Sequence, residues 1–180
     1  MKQQHIGMSE EQIKQLEEWT MMRCRDIIFD SDDENNRLET SQLETKIIGK
    51  QSLLFIIDDG CGNTYGGYVS SRIEKCNTWI EDDHSFIFSL LSGQQSTEMK
   101  KFRIVNKEKA FYLYPKSSMY SFQIGIHISI NKKGENDSCC HFNLLNSSEK
   151  KMKLNMERII IPPKKNYCCS NESTYLFILI

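Results

Sequence analysis

The hydrophobic pattern of this chain changes period once. At the start, Ile13, Leu16 and Thr20 recur at helical intervals with Trp19 alongside, while Glu10, Glu11, Lys14, Glu17 and Glu18 face away. Ser9-Glu10-Glu11-Gln12 has capping-box spacing in front of them. The pattern predicts a capped amphipathic helix whose apolar side covers a sheet. A short apolar run, Asp26-Ile27-Ile28-Phe29-Asp30, then opens into a polar segment from Ser31 to Glu44 that reads as a surface loop.

Beyond that loop the period is two. Leu53 to Ile57 is unbroken apolar sequence, the mark of a strand buried on both faces. Asp58-Asp59-Gly60-Cys61-Gly62-Asn63 closes it and Thr64 to Val69 resumes, which predicts a hairpin. Phe86, Phe88 and Leu90 alternate with Ile87 and Ser89, Phe102 and Ile104 with Lys101 and Arg103, and Tyr120, Phe122 and Ile124 with Ser121 and Gln123. Each of these strands is expected to keep one wet side. Ile126, Ile128 and Ile130 set against His127, Ser129 and Asn131 predict a strand that turns at Lys132-Lys133-Gly134 and pairs with Cys139 to Asn143, with His127 at the surface. In the tail, Arg158 to Ile161 is stopped by Pro162-Pro163, and Tyr175 to Ile180 reads as a closing strand.

Strands dominate and no β-helix-β alternation appears. The expected fold is therefore mainly β (α+β): a two-sheet antiparallel β-sandwich with an N-terminal amphipathic helix and few short helices. Residues 1–25 are read as the helix and its lead-in, and 26–180 as a single globular domain.

Composition narrows the class. The 180 residues carry 23 Lys and Arg against 24 Asp and Glu, a formal charge of -1, which supplies no bulk field for nucleic acid or an anionic membrane. A hydrophobic share of 39% with 10% aromatics is too apolar for a disordered chain. No run reaches the about 18 apolar residues that cross a bilayer. Met1 to Gly7 lacks the apolar centre of a secretory signal, so a cytoplasmic protein is expected. The seven cysteines are odd in number and are read as free thiols.

Candidate chemistry is sparse. Ile27-Ile28-Phe29-Asp30-Ser31-Asp32 has the strand-then-Asp-x-Asp form in which aspartyl-phosphate phosphatases place a nucleophile and an acid/base. That chemistry belongs at the carboxyl ends of a parallel sheet, so an acidic solvated loop is preferred and a phosphatase-like hydrolase using Asp30 and Asp32 is the alternative. A thiol-based redox enzyme is the other alternative. Cys139-Cys140-His141 and Cys168-Cys169 lack zinc spacing, and neither a metal nor a cofactor is expected. The Asp58 to Asn63 turn lacks the ligand alternation of a calcium loop. Tyr65-Gly66-Gly67-Tyr68 lacks a phosphate-binding pattern and reads as close backbone packing within a strand. The lysine pairs at 100–101, 132–133, 150–151 and 164–165 read as solvated edges.

One ordered series of motifs goes further. Ile47-Ile48-Gly49-Lys50, Leu53-Leu54-Phe55-Ile56-Ile57-Asp58-Asp59, Thr64-Tyr65-Gly66-Gly67-Tyr68 and Phe86-Ile87-Phe88-Ser89-Leu90 resemble, in succession, the TLDc family. Lys101-Phe102-Arg103-Ile104, Ala110-Phe111-Tyr112-Leu113-Tyr114, Ser121-Phe122 and Cys140-His141-Phe142-Asn143 look like its later strands. The likeness runs from about Ile27 to Asn143, and it makes Gly49, Gly66, Gly67, Phe86, Phe88, Phe122 and Phe142 the family-motif positions. His84-Ser85 stands where the family has Gly-Glu, its glycine-rich stretch is shortened to Gln123-Ile124-Gly125-Ile126, and Glu149 to Asn171 does not align. The resemblance implies a two-sheet sandwich without established catalytic residues. It also implies a non-enzymatic protein-interaction module, with roles in oxidative-stress protection and in regulating the vacuolar proton-pumping ATPase through its subunits.

Overall fold

The computed structural model describes residues 8–31, 40–58, 62–91, 98–131 and 175–179. Helix α1 (Glu10–Thr20) begins with the capping box read from the sequence: Ser9 Oγ accepts from the Gln12 amide at 3.2 Å, and Gln12 Oε1 accepts from the Ser9 amide at 2.8 Å. Strand β1 (Ile27–Asp30) follows, and then helix α2 (Thr40–Ile47). The loop expected through Glu44 is thus already helical from Thr40. Its polar surface hides one apolar pair a turn apart, Leu43 and Ile47, and both are fully buried. Gly49, at φ +82, turns the chain out of α2 in the left-handed region that favours glycine, and its amide donates to Ile73 O at 2.7 Å.

The remaining elements are strands: β2 (Leu53–Asp58), β3 (Thr64–Val69), β4 (Trp79–Ile80), β5 (Phe86–Leu91), β6 (Lys100–Arg103), β7 (Phe111–Leu113), β8 (Tyr120–Ile124), β9 (Ile128–Asn131) and β10 (Tyr175–Leu179). They form two antiparallel sheets in the order β1-β10-β2-β3-β5-β6 and β4-β7-β8-β9. The expected sandwich is the observed one, and the expected β2–β3 hairpin pairs from Leu53↔Val69 to Asp58↔Thr64. The final strand lies inside the larger sheet, between β1 and β2.

Alternation along β2 sends Leu53, Phe55 and Ile57 toward the smaller sheet and Leu54 and Ile56 the other way. Between the sheets the Phe55 ring lies 5.0 Å from both Phe111 and Phe122, and those two lie 6.0 Å apart. Contacts of this kind are each worth about 1 kcal/mol beyond area burial.

The side of β5 expected to be wet, that of Ile87 and Ser89, faces the smaller sheet, and Ile87 is buried between the sheets. Leu16 and Trp19 of α1 cover Leu54, Ile56, Tyr68, Phe86, Phe88 and Leu90, so β5 is buried on both faces. Trp19 stands 6.4 and 6.3 Å from the rings of Phe86 and Phe88. Lys101 Nζ donates to Trp19 O at 3.5 Å and sits 4.8 Å from the centre of the Phe86 ring.

Two further expectations change. Ile126 is exposed in the turn between β8 and β9, with Gly125 at φ +56, and His127 is half-buried in that turn rather than on a strand. Strand β9 pairs with β8. The strands expected at Cys139 to Asn143 and at Arg158 to Ile161 lie outside the described residues.

Candidate functional site

A row of side chains crosses the outer face of the smaller sheet. The register sets Trp79 opposite Tyr112, Tyr112 opposite Gln123, and Gln123 opposite Ser129, one residue from each strand in turn. In β7 the alternation is simple, with Phe111 and Leu113 buried and Tyr112 outward. In β8 the register slips between Tyr120 and Phe122, so Ser121 and Phe122 are both buried while Tyr120 and Gln123 stand half-exposed. That irregularity re-aims Tyr120, which strict alternation would place on the same side as Phe122.

The result is a continuous aromatic strip. Successive ring centres lie 5.0 Å apart from Trp79 to Tyr112, 4.7 Å from Tyr112 to Tyr114, and 5.3 Å from Tyr114 to Tyr120. The Tyr112 hydroxyl donates to Asn77 Oδ1 at 2.8 Å and the Tyr114 hydroxyl to Gln123 Oε1 at 2.7 Å. Lys109 Nζ lies 5.9 Å from the Trp79 ring centre, at the outer limit for a cation–π contact. Burial, then the neighbouring Tyr112 and Tyr120, raises the Tyr114 hydroxyl above its ordinary value, so it remains a neutral hydrogen-bonding group at physiological pH. Rings held by one another and by side-chain hydrogen bonds lose little freedom when a partner covers them. Tyr and Trp are also the residues most enriched where proteins meet.

Three segments are tied together by a feature the sequence reading missed. Asp82 is buried, and its carboxyl group accepts from Ser70 Oγ at 2.6 Å and from the amides of Ser70, Ser71 and His84 at 2.6, 3.0 and 2.9 Å. Its own amide donates to Lys107 O at 3.0 Å, and Ser85 Oγ donates to Asp82 O at 3.2 Å. The clip therefore holds Ser70-Ser71, the lead into β5 and the turn before β7 in one arrangement. His84-Ser85, the departure from the family's Gly-Glu, belongs to it.

The other candidates are dispersed. Asp30 closes β1, the edge strand of an antiparallel sheet, and Asp32 lies outside the described residues. Cys24 is partly buried beneath α1, and burial followed by the Glu17 carboxylate pushes its thiol up to about 11. Burial and then Glu44 also raise Cys76. A nucleophilic or redox-active thiol needs the opposite shift. Cys61, Cys139, Cys140, Cys168 and Cys169 lie outside the described residues. Among the described residues no group of three or more His, Cys, Asp or Glu is placed to hold a metal, and no helix is long and apolar enough to cross a membrane.

The family-motif positions are structural in their surroundings. A Cβ on Gly66 would stand 1.8 Å from Phe55 O, and one on Gly67 would stand 2.9 Å from Ile124 Cγ2, so β3 is pressed between layers as close backbone packing requires. Phe86 and Phe88 pack under Trp19, Phe122 fills the space between the sheets, and Phe142 lies outside the described residues. Lys100 and Lys101 stand on β6, the other edge of the larger sheet, as a charged edge. The remaining lysine pairs lie outside the described residues. An alternation was available for the aromatic strip in Phe111-Tyr112-Leu113-Tyr114, but two-residue β4 left no periodic trace.

The family model of the TLDc domain matches residues 1–157. No curated protein matches the chain.

Proposed function

The chain belongs to the TLDc domain family, and from that premise we propose that it is a non-enzymatic module whose protein partner docks on the strip of Trp79, Tyr112, Tyr114 and Tyr120. The single observation that carries this reading is the strip itself: four half-exposed aromatic rings in mutual contact on one sheet face. The module acts in the cytoplasm, with subunits of the vacuolar proton-pumping ATPase as its partner and a stress response as its setting. The family resemblance supports that finer assignment.

The case against turnover is chemical. A phosphatase built on Asp30 would need converging groups at the tips of parallel strands, and Asp30 ends a strand in an antiparallel sheet. A thiol enzyme would need a depressed pKa, and among the described residues both cysteines, Cys24 and Cys76, are raised.

The test is a double variant, Tyr112→Ser with Tyr114→Ser, compared with the wild type in retaining pump subunits from native lysate. The expected outcome is a melting temperature within a few degrees of the wild type and retention reduced at least about tenfold, the loss of a hot-spot pair. Unchanged retention by the folded variant would sink the assignment of this face. Turnover of phosphate esters or thiol substrates by the wild type would sink the non-enzymatic reading.

A further inference from the structure

Strand β10 joins β1 to the rest of the larger sheet. Tyr175 to Leu179 pair in unbroken register with Asp58 to Leu54 of β2, and Leu179, Ile178 and Phe177 pair with Ile27, Phe29 and Asp30 of β1. Ile178 is fully buried among the residues between the sheets. Because β10 runs antiparallel to both neighbours, β1 and β2 run parallel to each other and meet only through it. Without β10 they would stand two strand spacings apart, roughly 10 Å, with unpaired donors and acceptors along both walls. The gap is one extended chain wide.

The covalent path to this slot is long. The chain leaves β9 at Asn131 and returns at Tyr175, with residues 132–174 between them. A linked segment offers its slot an effective concentration of about 1 mM or below. Entry from the same chain therefore wins in dilute protein, and entry from another chain competes as protein concentration approaches that value.

We infer that the slot between β1 and β2 is a strand-accepting site that takes residues 175–179 of a second copy. In the resulting two-fold dimer each copy completes the other's six-stranded sheet. Every exchanged pairing is the one already made within the chain, so the dimer needs no new surface and no change of register.

The experiment uses the full chain, unfolded in denaturant and refolded at about 10 μM and at about 1 mM, the two sides of the effective concentration. Mass is then measured by light scattering at equal dilution. The expected result is monomer from the dilute sample and a dimer from the concentrated one that survives dilution for hours and reverts after unfolding and dilute refolding. A synthetic peptide spanning Ser173–Ile180, in excess during refolding, is expected to add once per chain by native mass spectrometry and to suppress the dimer. The same peptide with Ile178→Lys should do neither. Monomer at every concentration overturns the exchange, with or without a peptide adduct. So does a dimer that falls apart within seconds of dilution, or one that the peptide leaves unchanged.

Discussion

Gly66 and Asp82 have opposite chemistry and are equally intolerant of change. At Gly66 the obstacle is space. A single added methyl group meets a backbone oxygen of β2 at 1.8 Å, and backbone in the middle of a sheet does not step aside. Gly66→Ala is expected to cost about 3 kcal/mol, the upper end for overpacking, and to lower the melting temperature by roughly 10 °C. Calorimetry checks this, and a change under about 1 kcal/mol would show that the strands relax. At Asp82 the obstacle is polarity. Asp82→Asn can keep one oxygen toward the amides of Ser70 and Ser71, but its NH2 then faces the His84 amide, donor against donor, and the change is expected to cost about 2 kcal/mol. Hydrogen exchange at the His84 amide, faster in the variant, separates loss of the clip from a general loss of stability. Glycine in an apolar strand announces its role in the sequence. A buried acid among Glu81-Asp82-Asp83 does not, because its neighbours Glu81 and Asp83 are exposed and three acids in a row read as solvent.

Among the elements, legibility followed the regularity of the local pattern. The N-terminal helix was plain because its cap and apolar stripe agree, and β2 was plain because five apolar residues in a row have no polar face to offer. Helix α2 was hidden because only Leu43 and Ile47 betray it in a polar stretch. Tyr120 was placed on the wrong side because a register slip defeats counting by twos. The wet face expected for β5 on the side of Ile87 and Ser89 is closed by the smaller sheet, while α1 covers the Phe86 and Phe88 side, and one strand's pattern contains neither partner. The tail was legible as a strand from Tyr175 to Ile180, though its place between β1 and β2 is a property of topology. Removing Tyr175 to Ile180 is therefore expected to abolish cooperative unfolding of the chain. It strips β1 of its partner and bares the ladder of β2. A truncated protein with the melting temperature of the full chain would contradict this.

At the scale of the molecule, the shifted groups among the described residues bear on the pH range of stability. Cys24, Cys76 and Tyr114 are all raised, so their contributions are complete below the ordinary values of these groups and are lost as pH climbs through the folded ones. For Cys24 that window runs from the ordinary thiol value of about 8.5 up to about 11. Asp83 is lowered by its hydrogen bond and ion pair with Lys107, so its contribution is present above the ordinary carboxylate value and fades as pH falls through the folded one. Stability should therefore be flat near neutrality and decline on the alkaline side. Cys24→Ala should flatten part of the decline between about pH 9 and pH 11. Denaturant titrations of both proteins at stepped pH measure the difference, and parallel curves would remove Cys24 from the account.

Strand β10 is synthesised after every other described strand, yet it belongs near the middle of its sheet. During translation the ribosome releases Leu53 to Ile57 long before the strand that will shield its open edge. The nascent chain must therefore carry a bare, greasy ladder through the making of more than a hundred further residues. Over that interval the open edge of β2 is a template on which a strand of any other chain could pair.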